Sequence, residues 1–84
     1  MNDLSTHFPA ANRLLDVSGL KCPMPILRTK KALADMASGE TLEIYVTDPA
    51  AREDFAAFAR QTGHELLHVV EHGKGQWVIY LRRK

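Results

Sequence analysis

The stretch Leu42-Glu43-Ile44-Tyr45-Val46-Thr47-Asp48-Pro49 decides how the chain is read. Leu42, Ile44 and Val46 alternate with Glu43, Tyr45 and Thr47, the two-residue period of a strand that buries one face and leaves the other open. Asp48-Pro49 then offers an N-cap oxygen and a proline suited to a first helical turn. Behind it Ala51, Phe55, Phe58, Ala59 and Thr62 recur at helical spacing, and Gly63 stands where that helix is expected to close.

Upstream, Ile26, Thr29, Leu33, Met36 and Ala37 recur every three or four residues and predict a first helix after Pro25, with Ser38-Gly39 supplying a left-handed cap. Before it, Leu14 to Val17 reads as a short strand stopped by Ser18-Gly19. Downstream, Leu66 to Val70 and Trp77 to Leu81 are two apolar runs joined by His72-Gly73-Lys74-Gly75, a hairpin signature. Residues 1–13 carry neither period and are expected to form a flexible extension to a single domain over 14–84. The order is β-α-β-α-β-β, and two short helices can cover only one face of four strands. An α/β two-layer sandwich is therefore expected, a four-stranded mixed sheet with both helices on one face. The open face should carry Glu43, Tyr45 and Thr47, joined by Val78 and Tyr80 if Trp77, Ile79 and Leu81 turn inward, the phase we expect.

Composition narrows the function classes. Eighty-four residues leave no room for a second core or a deep enclosed active site. Eleven basic and ten acidic side chains leave a formal charge of +1, too little for general nucleic-acid binding. No apolar stretch approaches a membrane span and no secretory leader is legible at the start, so neither secretion nor membrane insertion is expected. A single cysteine, Cys22, can close no internal disulfide and pairs with no second thiolate for a metal, which fits a reducing, cytoplasmic setting. His64, His68 and His72 recur every fourth residue, but on a strand they stand about 13 Å apart from first to second, too far for one ion.

The chemistry concentrates in Gly19-Leu20-Lys21-Cys22-Pro23-Met24-Pro25. Pro23 and Pro25 hold Cys22 and Met24 out of helical dihedrals, so the thiol is expected in an extended segment at a strand-to-helix corner. The amides of Met24, Ile26 and Leu27 are the candidate donors toward an anion there. A helix N-terminus favours an anion by about 0.3 to 1 kcal/mol, which is expected to lower the thiol pKa toward neutrality. Lys21 and Arg28 carry positive charge near the thiol, and Arg28, Lys30 and Lys31 crowd the outer side of the first helix. That face is either ordinary solvated surface or a docking patch for an acidic region of a partner. Asp48 is most simply an N-cap, and no histidine is placed beside Cys22 for a catalytic dyad.

Leu15-Asp16, Gly19-Leu20, Cys22-Pro23 and Pro25, a basic helix, Asp48-Pro49-Ala50 and Gly63-His64-Glu65-Leu66 together resemble the TusA/SirA family of small bacterial sulfur carriers, over about residues 14 to 84. The resemblance implies a sulfurtransferase without a bound cofactor, in which Cys22 takes up sulfane sulfur as a persulfide and hands it on. Gly19, Lys21, Pro23, Pro25 and Arg28 would support it. The implied donor is a cysteine desulfurase, and the implied recipient a downstream relay protein, with 2-thiouridine in tRNA as one destination. Met24 stands between the prolines, where members devoted to tRNA thiolation commonly carry an acidic side chain. The reading from a different class is a binding or regulatory module that uses the open sheet face, with Tyr45, Tyr80 and Lys31 as contacts and no thiol chemistry.

Overall fold

The structure is a computed structural model and describes residues 11–84. The segment 1–10, most of the expected extension, lies outside the described residues. Strands β1 (Arg13–Asp16), β2 (Thr41–Val46), β3 (Glu65–Glu71) and β4 (Trp77–Arg82) alternate with helices α1 (Met24–Ala34) and α2 (Ala51–Thr62) in the expected β-α-β-α-β-β order. The sheet runs β1-β2-β4-β3. β1 pairs parallel with β2, while β4 lies antiparallel between β2 and β3, so the sheet is mixed.

Alternation in β2 does what its pattern demands: Leu42, Ile44 and Val46 are essentially inaccessible and join a core with Ala32, Leu33 and Met36 from the α1 side and Phe55, Phe58 and Ala59 from α2. β4 is apolar at every position from Trp77 to Leu81, so its phase rests on register. Ile79 faces Ile44 and Leu81 faces Leu42 across the ladder, which turns Trp77, Ile79 and Leu81 toward the helices as expected. In β3 the register shifts between Leu66 and His68, so that Leu67 is an extra residue; the bulge keeps Leu66 and Val69 both against the core.

The outer sheet face is less open than the pattern implies. Val78 and Tyr80 lie on it, yet each is only 5% exposed. Tyr80 sits between Glu43 of β2 and His68 of β3, its hydroxyl donates to Glu43 Oε2 (3.1 Å), and the His68 ring meets it edge-on. Tyr45 donates to the same Glu43 oxygen (3.0 Å), and its ring meets His72 edge-on. Burial and then the Glu43 carboxylate push the Tyr80 phenol up to about 12, so it stays protonated across the neutral range. Polar side chains lean over this face and hydrogen-bond to one another, which closes it more than a strand seen alone suggests.

Both helix boundaries differ from local expectation. α1 stops at Ala34 with Asp35 as its C-cap; the Asp35 N–H turns back to Ala32 O and the Met36 N–H to Leu33 O (3.1 Å each). Gly39 therefore caps no helix; at φ +87° it shapes the following turn, and its N–H donates to Arg83 O (2.7 Å). α2 does close on a left-handed Gly63 (φ +85°), as expected. Its start is later than expected: Ala50 is the N-cap and no side chain caps it, because the Ala51 N–H is taken by the Asp48 carbonyl in a turn before the helix. The Asp48 carboxylate accepts the Ala50 N–H at Oδ1, which leaves Oδ2 for a longer-range task.

Thr29 packs into the core side of α1 with no exposed surface, and its hydroxyl oxygen finds no hydrogen-bond partner. A buried hydroxyl without a partner costs on the order of 1 kcal/mol or more. Thr29→Val keeps the shape and removes the polar atom, so it is expected to raise Tm by about 4 to 8 °C in a domain of this size. An unchanged or lower Tm by calorimetry would show that the hydroxyl is satisfied in solution.

Candidate functional site

The parallel pairing of β1 and β2 sends both strands out of the same end of the sheet, each into a loop that opens a helix. The two loops are laced together. Val17 N–H donates to Tyr45 O (2.8 Å), Gly19 N–H to Thr47 Oγ1 (2.9 Å) and Cys22 N–H to Asp48 Oδ2 (3.0 Å). Gly19 adopts φ +84°, a conformation that L side chains rarely adopt, and this lets the chain turn from β1 toward the second loop. Asp16 stabilises the same turn by accepting the Ser18 N–H (2.9 Å), and the Ser18 hydroxyl and N–H hold its carboxyl below the usual range.

Cys22 is exposed at the start of α1, with Pro23 as N-cap and Pro25 buried in the first turn. The Cys22–Pro23 peptide is cis, a feature with no mark in the sequence. Of the three amides expected to face an anion, two are engaged internally: Met24 N–H donates to Lys21 O (2.9 Å) and Leu27 N–H to Pro23 O (3.1 Å). Asp48 is the main addition to the site. Buried itself, it spans the two loops, with Oδ2 on the Cys22 amide and Oδ1 accepting from Ala50 N–H (3.2 Å).

The electrostatics correct the sequence expectation. The thiol pKa is raised instead of lowered, first by partial loss of water around the sulfur, then by the negative charges of Asp54 and Asp48. A helix N-terminus favours a thiolate by no more than about 1 kcal/mol at an exposed position. Desolvation of the sulfur first and the two carboxylates after it, with two of the three amides already engaged, reverse the sign. Asp54 is visible in the sequence only as an acidic residue in a first helical turn. Its place beside Cys22 depends on how α1 and α2 begin at the same end of the sheet.

Around the thiol the surface divides in two. On α1, Met24 (36% exposed) and Leu27 (48%) display apolar surface beside the exposed Arg28 and Lys31, with exposed Lys21 just before the cysteine. On the α2 side, Asp54 and the exposed Glu53 are acidic. Behind Pro49 a groove of about 470 Å³ opens between α2 and β3, floored by Leu66, Val69 and Trp77. Tyr45 and Tyr80, the other expected contacts, belong to the outer sheet face, and the burial of Tyr80 leaves it little to offer a partner. His64 stacks at a tilt on Phe58 and accepts the Lys84 N–H at Nδ1 (3.2 Å), while His68 and His72 lie against the tyrosines.

The family model described as Sulfurtransferase TusA matches residues 13–83 of this chain. The chain belongs to the TusA family. A TusA-family relative in Neisseria meningitidis serogroup B, named as a sulfur carrier protein, is 61% identical over 70 residues, which cover 83% of this chain and 93% of the relative. The sulfur carrier protein TusA of Allochromatium vinosum is 56% identical over 59 residues, 70% of this chain and 78% of that one. The TusA-family fold is matched by the crystal structure of a SirA-like protein from Desulfitobacterium hafniense, with a TM-score of 0.74 and 25% identity over 83% of this chain and 95% of that one. Membership in the TusA family supports a part in sulfur relay, with sulfur donors and acceptors as the general class of partner. Among the described residues no helix is long and apolar enough to cross a membrane.

Proposed function

We propose that this protein carries sulfane sulfur as a persulfide on Cys22, receiving it from a protein donor such as a cysteine desulfurase and passing it to a downstream relay protein in the cytoplasm. The observation that supports this reading is the exposure of the one cysteine, at a corner stiffened by Pro23 and Pro25 and tied by its own amide to Asp48. A sulfur carrier needs its sulfur reachable by two successive partners, and a thiol at a helix start between two loops meets that need. Gly19 makes the turn, and the exposed Lys21, Arg28 and Lys31 precede or follow Cys22 along the chain as candidate contacts for a partner. Thiolation of tRNA uridine is one destination for the sulfur.

The test is intact mass spectrometry without reductant after incubation with a cysteine desulfurase and cysteine. Gain of one reductant-labile sulfur is expected, and its absence with an active desulfurase and with thiosulfate would remove the reading. The α1 face supplies a second check. Complementary charge changes encounter rates more than it changes the strength of a finished complex. Arg28→Glu with Lys31→Glu is expected to slow loading several-fold at low salt, with the deficit shrinking as salt rises. Equal loading rates at low salt would mean that this basic face is only solvated surface.

A further inference from the structure

The residues that follow β4 are fastened at three places, at the end of the sheet away from Cys22. Arg83 N–H donates to Glu40 O (2.8 Å), and Gly39 N–H returns to Arg83 O (2.7 Å). Arg83 Nε reaches Leu33 O in the last turn of α1 (2.8 Å). Lys84 turns to the other helix: its N–H donates to His64 Nδ1 (3.2 Å) in the turn between α2 and β3, and its aliphatic stem lies over Gly63. A Cβ at Gly63 would meet Lys84 Cδ at 3.1 Å, so the left-handed glycine that closes α2 also makes room for this tail.

His64 is the member of this arrangement whose ordinary titration lies near neutrality. Its half-buried ring lies tilted on Phe58, with 5.8 Å between centroids, and its own N–H meets Thr62 Oγ1 (3.4 Å). A ring nitrogen that accepts from the Lys84 N–H carries no proton, so the bond requires that nitrogen bare. Protonation would set a donor against a donor. The surrounding charges oppose it as well. Arg83 and Lys84 stand on the β4 side, with Lys84 O taken by Arg83 Nη1 (3.2 Å), while Phe58 and Thr62 of α2 are uncharged. Glu65 at the start of β3 is paired with Arg82, and Glu40 accepts the Ala37 N–H (2.9 Å). Burial first, then the cations of Arg83 and Lys84, hold the imidazole below its usual range.

We propose that His64 is an acid-released clasp, whose neutral imidazole fastens Lys84 to the turn between α2 and β3 and whose protonation frees it. The clasp works the same whatever Cys22 carries. Its sign follows from the native ring binding a proton more weakly than the ring of the unfolded chain. The stabilising contribution is complete above the ordinary imidazole value of about 6.5, and is lost as pH falls from there through the native value. Release of Lys84 leaves Arg83 held to Leu33 and to the Gly39-Glu40 turn, so the loosening is local and the sheet persists.

The test follows the full chain by NMR from about pH 8 to about pH 5, across the titration of an ordinary histidine. It reads the His64 ring, the Lys84 amide shift and the Lys84 backbone order parameter in wild type and in His64→Phe. That variant keeps a ring against Phe58 but has neither acceptor nor charge. In wild type the Lys84 amide is expected to shift together with the His64 ring, at a common midpoint below about 6.5. Over the same range its order parameter should fall into the flexible regime, below about 0.6. In His64→Phe it should lie in that regime throughout, with no transition at the wild-type midpoint. A His64 midpoint at or above the ordinary value would overturn the proposal. So would a Lys84 order parameter that stays constant through the His64 titration, or a Lys84 that remains rigid in folded His64→Phe. If His64→Phe fails to fold, the wild-type titration decides by itself.

Discussion

Cys22→Ser is expected to abolish sulfur loading altogether while leaving Tm within about 2 to 4 °C of wild type. The two halves of that expectation rest on different links. Loading fails because a serine hydroxyl cannot form the sulfur–sulfur bond, and the sequence contains no other cysteine to take over. Stability survives because the residue is exposed and its structural bond runs through the backbone: the Cys22 N–H to Asp48 Oδ2 link persists whatever the side chain. Substitution at an exposed position usually costs no more than about 0.5 kcal/mol. Mass spectrometry after desulfurase treatment reads the first half and a thermal melt the second. A serine variant that melts many degrees lower would make Cys22 a structural residue and take away the main support for a carrier role. A variant that still gains labile sulfur would place the cargo elsewhere.

How much of this was legible in the sequence depends on the range of each interaction. Strand β2 is read correctly from Leu42, Ile44 and Val46 because one alternating face meets one core. Gly63 is read correctly because a left-handed cap is a local event. Asp48 is misread for the same reason: the local rule makes it an N-cap, whereas its carboxylate serves an amide 26 positions away. That bond exists only because β1 and β2 run parallel with Asp16 opposite Tyr45, a register no short pattern encodes. Gly39 follows Ser38 as a cap should, yet α1 has already ended at Ala34. The same limit hides the sign of the charge around the thiol. Cys22, Pro23 and Pro25 identify the corner, and the helix start suggests a stabilised anion. The carboxylates that oppose it arrive from the second loop and helix, visible in the sequence only as ordinary acidic residues.

Phe55→Ala is expected to be the most destabilising single truncation in the chain, because Phe55 is the largest side chain with no exposed surface and sits where α2 meets the sheet. Its ring meets Phe58 edge-on at 6.5 Å, so truncation removes an aromatic contact as well as buried area. Phenylalanine-to-alanine changes in a core cost about 3 to 5 kcal/mol, against a total stability of roughly 5 to 15 kcal/mol for a small domain. The urea midpoint should fall by about a fifth or more, and the variant should be partly unfolded at 37 °C if the wild type lies at the low end of that range. Leu27→Ala on the outer face of α1 is the control, expected within about 0.5 kcal/mol because the side chain is already 48% exposed. A loss under about 1 kcal/mol would mean that the α2–sheet contact is not the main support of the core.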